Sequence, residues 1–266
     1  MSRLSKDDAY TTEEIHDDGI KQIMPFLSPF KPKKIVFADF DSLIFWTLYQ
    51  KDEFGNVIEL TEEHLEMLYV KLDELIMKII NKVENYIDIE ALFMFIRGES
   101  NFRKELFPEY KSNRKLKSPL TDFLYAHIET KWNAIKSQNC ESEDMCYSGA
   151  LKLNKNCVIL YCDHDIEEID TAWLYNYQKD KWSCLTETQG RLNRIKKLIV
   201  GESGDGVNLS KGLGKKHFET FYNESMTEEE IEVQLVKSYT KVWKNEELAK
   251  EKLELAKKLL YLKDIN

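Results

Sequence analysis

KIVFADF, Lys34 to Phe40, is the stretch on which the fold turns. A short apolar run that closes on an acid reads as a buried strand with a polar residue at its carboxyl end. CVILYCD from Cys157 to Asp163 has the same form, and ALFMFIRG from Ala91 to Gly98 is a further apolar strand candidate that ends on Arg-Gly. Between the first two, Thr61 can cap a helix whose Leu65, Leu68, Leu72, Ile76, Ile79 and Val83 recur every three or four positions. Strands alternating with helices predict an α/β fold with a mostly parallel central sheet flanked by helices. Ligands bind such sheets beyond the carboxyl ends of the strands. Asp39 and Asp163, distant in the chain, are therefore expected on one sheet edge, as part of a functional site.

Outward from these strands the chain divides into three parts. Residues 1–33 are polar, end in SPFKPKK and read as a flexible arm; residues 34–190 form the α/β core, including a basic segment at about 99–120; residues 191–266 are helical and Lys-rich. In the last part a Gly-punctuated stretch runs from Gly201 to Gly214. Thr227 and Glu230 have the spacing of a capping box, and Asn245 to Leu262 is a strong helix former.

With 266 residues, 42% apolar and 32% charged, the chain can bury one sizeable core, or one core and a small satellite. No apolar run is long enough to span a bilayer, and the first thirty residues lack the apolar stretch of a signal peptide, so a cytoplasmic location is expected. Cys140, Cys146, Cys157, Cys162 and Cys184 form no C-x-x-C pair, which argues for reduced thiols and against zinc. A net charge of -9 argues against a protein that coats nucleic acid. Its distribution matters more. RKELFPEYKSNRKLK, Arg103 to Lys117, carries six basic residues against two acidic ones, and acids cluster elsewhere. The ordinary reading of a charge run is a solvated helix face; the functional one is a phosphate grip beside an acidic metal centre.

Phosphodiester hydrolysis with two metal ions roughly 4 Å apart needs several converging carboxylates. Four groups together meet that need: Asp39 with Asp41, the ESED run from Glu141 to Asp144, Asp163 with Asp165, and Glu202 with Asp205. Taken singly, each is equally a helix cap, an acidic first turn or a turn former.

The order and spacing of these groups resemble the superfamily of flap endonucleases and phage 5′-to-3′ exonucleases. NFRKELFPEYKSNRK (Asn101–Lys115) is similar to its basic arch motif, ESEDM to its Glu-Ala-Asp-Asp, YCDHDIEEI to its Ser-x-Asp-Lys-Asp strand end, and VGESGDGVNLSKGLGKK to its Gly-Asp-x-x-Asp segment leading into a helix-hairpin-helix turn. The match covers roughly residues 34–220 and is nearest the compact phage enzymes. The resemblance implies a helical arch, a C-terminal helix-hairpin-helix region and a structure-selective 5′ nuclease using two Mg²⁺ or Mn²⁺ ions. It places Asp39, Glu141, Glu143, Asp144 and Asp163 at the first ion, and Asp165, Asp205 and Glu202 at the second.

By the same resemblance Arg103, Tyr110, Lys111 and Arg114 serve catalysis in or near the arch, with Lys111 the best placed to offset developing charge. Lys104, Lys115 and Lys117 bind nucleic acid there. Lys211, Gly212, Gly214, Lys215 and Lys216 grip duplex phosphates at the later turn, which in the family sometimes holds a monovalent cation. For Tyr110 and Phe107 the alternative is plain packing. The expected partner is duplex DNA with a 5′ single-stranded end, or an RNA–DNA hybrid, bound by a monomer. The C-terminal helices are equally suited to docking on replication proteins and to structural support; no membrane contact is expected.

One departure stands out. The family has a further Asp at the end of the second strand, and in FIRGESNFR that place falls on Gly98, or on Ile96 with a longer loop. Glu99 can reach inward to restore the ligand, or Arg97 can occupy the pocket and leave a homologue that binds forked or nicked DNA but cuts slowly.

Overall fold

A computed structural model describes residues 31–265 except 52, 115–117, 222 and 224, together with the backbone of 11–15 and 21–25. Most of the expected N-terminal arm, and Lys115 and Lys117, lie outside the described residues. The backbone of β1 (Thr11–Ile15) pairs antiparallel with that of β2 (Lys21–Pro25). Two compact units make up the chain. The first is Met1–Glu99, Lys117–Leu185 and Asp264–Asn266, and the second is Ser100–Leu116 and Thr186–Lys263.

The first unit is built on β3 (Lys33–Asp39), β4 (Asp88–Ile96), β5 (Ile135–Lys136), β6 (Cys157–Tyr161), β7 (Trp173–Asn176) and β8 (Lys181–Ser183). They form one sheet in the order β5-β4-β3-β6-β7-β8, in which only β8 is antiparallel to its neighbour. β4 starts at Asp88, before the apolar run that announces it, because Asp88 pairs with Lys33 at the sheet margin, where a polar residue is tolerated. The four-residue β7 and three-residue β8 are too short to stand out in the sequence and are held by pairing, with Tyr175 opposite Trp182.

Val36, Ala38, Met94, Ile96, Val158 and Leu160 alternate onto one face of the sheet. There they share a core with α1 (Asp41–Leu48), α2 (Leu65–Glu84) and α4 (Leu120–Trp132). In α2 the buried residues are Leu68, Leu72, Ile76, Ile79, Ile80 and Val83, a stripe worth about 2 kcal/mol per fully buried side chain. Phe37 points to the other face, stacked with Phe93 and Phe95 and against α5 (Ser142–Leu153).

The second unit contains the five-residue α3 (Phe102–Leu106), then α6 (Glu187–Val200), α7 (Lys215–Phe221), α8 (Glu228–Trp243) and α9 (Glu246–Leu260). Its separate core includes Ile195, Leu198, Ile231, Leu235, Tyr239, Leu253 and Leu259. The capping box is formed as the spacing predicts: Glu230 N–H donates to Thr227 Oγ1 at 3.2 Å, and Thr227 N–H to Glu230 Oε2 at 2.9 Å. Asn245 caps α9 by accepting the Leu248 N–H. No helix among the described residues is long and apolar enough to cross a membrane.

Just past β4 the chain runs hard against the segment after β5. Gly98 N–H donates to Ser137 Oγ at 2.8 Å, and a Cβ on Gly98 would lie 1.8 Å from the Ser137 carbonyl oxygen. Only glycine fits, so an Asp at this place is sterically excluded. Gly98→Ala is expected to destabilise the protein by about 1–3 kcal/mol through backbone displacement, measured by denaturant unfolding.

Candidate metal centre and phosphate-binding residues

The sheet order sets the first unit's site. From β3 the connection leads to β4 on one side, whereas β6 lies on the other side of β3 and continues to β7, so the order reverses between β3 and β6. A crevice opens beyond the carboxyl ends of strands at such a reversal. Asp39 ends β3, and Asp163 follows β6 by two residues, at the start of the 3-10 turn His164–Glu168.

Asp39 is only 1% exposed. Its Oδ1 accepts the Ser142 hydroxyl at 2.9 Å and the Asp41 N–H at 3.2 Å. These donors do not offset its surroundings: burial first, and then the charges of Asp41 and Asp163, push the Asp39 carboxyl up to about 8. The Asp41 carboxyl is also raised, chiefly by burial, against the pull of the Arg97 N–H and guanidinium, with Glu141 adding repulsion. The Ser142 hydroxyl also lies 3.1 Å from Glu143 Oε2. Asp144 is fully buried and accepts the Glu141 N–H at 2.9 Å. The Cys146 thiol is pushed up by burial and then by Asp39, Glu143 and Asp144, which places these acids in one neighbourhood.

Asp163, His164 and Asp165 offer ligand atoms within 4.8 Å of one another. His164 Nδ1 lies 3.2 Å from Asp163 Oδ1. The donors are nearly all carboxylate oxygens, the set hard divalent cations prefer, and the repulsion that raises Asp39 is what such a cation relieves. The residues present therefore fit Mg²⁺ or Mn²⁺. Sequence reading gave no role to His164 or Ser142, since one hydroxyl and one imidazole among many carry no pattern. Glu99 is exposed.

The second unit holds the remaining candidates. Asp205, 5% exposed, accepts the Tyr110 hydroxyl at 2.8 Å and Arg114 Nη2 at 2.7 Å, with Lys111 Nζ at 3.6 Å. Lys111 adopts φ 57° and donates its N–H to the Asp205 carbonyl at 2.8 Å. Tyr110 is 2% exposed and belongs to the unit's apolar core, so its ring packs, as the alternative reading had it, and only its hydroxyl is turned to the acid. Arg103 is buried and donates to the carbonyls of Leu259 and Tyr261 at 2.9 and 3.0 Å, tying the basic segment to the end of α9. Glu202 exchanges backbone bonds with Val207 across a tight turn. Lys104, Lys211, Lys215 and Lys216 are exposed. Gly212 and Gly214 take φ of 93° and 127° just before α7, conformations that leave glycine the natural choice.

The burial of Asp39 has a consequence for pH. Unfolded, its carboxyl titrates near 3.8; folded and metal-free, near 8. The folded state holds the extra proton between these values, so the stability it contributes is complete below the lower value and is lost as pH rises through the upper. Metal-free protein is expected to lose up to about 1 kcal/mol per pH unit between pH 5 and 8. Asp39→Asn should flatten that slope in denaturant titrations.

No protein-family model matches the chain, and no curated protein sequence matches it. Solved structures do. A structure of bacteriophage T5 5′-exonuclease with bound zinc superposes with a TM-score of 0.54 at 17% identity, covering 85% of this chain and 89% of that one. The flap endonuclease of the same phage, in a pseudo-enzyme–product complex with DNA and metal ions, superposes with a TM-score of 0.56 at 16% identity, covering 85% and 90%. The chain thus has the fold of these phage 5′-exonuclease and flap endonuclease structures, proteins of the kind its motifs resemble.

Proposed function

We propose that this protein is a metal-dependent, structure-selective 5′ nuclease that hydrolyses phosphodiesters of DNA or RNA–DNA hybrids in replication or repair. The observation that carries the reading is the crowding of Asp39, Asp41, Glu141 and Asp163 at the sheet's reversal point, where mutual repulsion is left for a cation to relieve. Asp39, Glu141, Glu143, Asp144, Asp163 and Asp165 would hold Mg²⁺ or Mn²⁺. A divalent ion held by these residues would supply Lewis-acid chemistry for phosphodiester hydrolysis.

The rest of the work belongs to side chains of the second unit. Lys111 and Arg114 offset phosphate charge, and Asp205 fixes the direction of both while the Tyr110 hydroxyl fixes Asp205. Arg103 acts by holding the basic segment in place. Exposed Lys104, Lys211, Lys215 and Lys216 bind backbone phosphates, and the amides freed by Gly212 and Gly214 at the start of α7 assist. None of these groups reads a base, so recognition depends on the shape of the nucleic acid.

A second reading is favoured by one observation. The Arg97 guanidinium, stacked 4.6 Å over the Tyr125 ring, lies close enough to Asp41 to draw its carboxyl down. A cation there can weaken metal binding and leave a protein that recognises forked or nicked DNA without cutting it.

A 5′-labelled forked duplex incubated with Mg²⁺, Mn²⁺ or EDTA separates the two. Metal-dependent products, reduced at least about 100-fold in Asp163→Ala, are expected for the nuclease; binding without products in any metal means the second reading, and cleavage in EDTA overturns the first. Lys111→Ala should slow cleavage far more than it weakens duplex binding. Lys215→Ala should do the reverse and lower the salt dependence of log K by about 0.9.

A further inference from the structure

The end of β4 lies beside the acidic centre yet carries no acid of its own. Its residues show why. Ile96 is fully buried in the core, Gly98 is closed against the Ser137 carbonyl, and Arg97 sends its guanidinium over the Tyr125 ring. Parallel register pairs Asp39 with Phe95. Two residues further along both chains, Asp41 stands across from Arg97, and Asp41 Oδ1 accepts the Arg97 N–H at 2.9 Å. The carboxylate of Asp41 is thus held at the tip of β4 although it belongs to α1.

Asp41 has a simpler use open to it, since it is the first residue of α1 and acids there commonly serve the helix end. Its Oδ1 turns instead to the neighbouring strand, and the N-cap, Phe40, makes no side-chain cap. Meanwhile its N–H donates to Asp39 Oδ1 at 3.2 Å. One residue thereby orients the central carboxylate through its backbone and brings a second carboxylate to it. Besides the Arg97 N–H, the Tyr125 hydroxyl and the Arg97 guanidinium bear on the Asp41 carboxylate; a carboxylate has about four lone-pair sites, so capacity for a cation remains.

We propose that Asp41 is a metal ligand of this centre, supplying from α1 the carboxylate that the end of β4 cannot carry, with the Arg97 amide setting its position. This rests on the metal-dependent reading above. It assigns Arg97 a positioning role through its backbone, and it sets Glu99 aside.

The test is Mn²⁺ binding to the full chain by calorimetry and electron paramagnetic resonance, without substrate. Asp41→Asn keeps an oxygen for the Arg97 N–H and removes the charge. It is expected to weaken Mn²⁺ binding roughly 10–100-fold or remove one bound ion, while Asp41→Glu stays closer to wild type and Glu99→Gln is unchanged. Wild-type affinity in Asp41→Asn, or a loss confined to Glu99→Gln, overturns the assignment while leaving the metal centre standing. A wild-type chain that binds no Mn²⁺ overturns both. Should Asp41→Asn fail to fold, Mg²⁺ titration of the wild type is read by carbon NMR. The Asp41 carboxyl carbon shifts with saturation if it is a ligand, and its staying fixed while Asp39 shifts overturns the proposal.

Discussion

Like charges forced together beyond the ends of β3 and β6 are the constraint around which the first unit is organised. Water would keep Asp39, Asp41 and Asp163 apart; the parallel sheet does not allow it, because its strand order reverses where these residues emerge. A serine hydroxyl and a backbone amide stabilise Asp39 in part, but burial first, and then repulsion from Asp41 and Asp163, leave a carboxyl that holds its proton to about 8. Such an arrangement works against the folded state when no cation is bound. The apolar layers on both sides of the sheet, with the stripe of α2 on one and Phe37 stacked with Phe93 and Phe95 on the other, hold the strands that impose it.

The second unit treats charge in the opposite way. A single buried acid, Asp205, gathers Tyr110, Arg114 and Lys111, so that cations on a turn-rich segment acquire fixed directions. Tyr110 matters most in this, since its ring is set in the apolar core and its hydroxyl reaches the carboxylate. Arg103 contributes stability by satisfying the last carbonyls of α9, where positive charge is favoured. Residues that look interchangeable as a basic run therefore divide into Arg103, which anchors the segment, and Lys111 and Arg114, whose direction Asp205 sets.

Much of this was legible in the chain. Three apolar runs closing near acids, and the 3.6-residue stripe between the first two, specified a parallel α/β sheet, because burial on both faces demands continuous apolar strands and an amphipathic cover. The capping box at Thr227 and the helix after Asn245 were equally local matters. β7 and β8 were not legible, since strands of four and three residues are too short to show a pattern of their own. Tyr110 and Arg103 read as exposed functional residues because aromatic and basic side chains in a charged run leave no sign of which way they turn.

The sequence by itself set Asp39 and Asp163 on one sheet edge, since each sits at or near the end of a strand and strand ends in a parallel sheet share an edge. Only the tertiary structure decided how the end of β4 is served. That depended on the register between β3 and β4, which sets Asp41 opposite Arg97, and on the Ser137 carbonyl, which closes Gly98 to any side chain. Register and close approach arise between segments far apart in the chain, so no local pattern of residues encodes them.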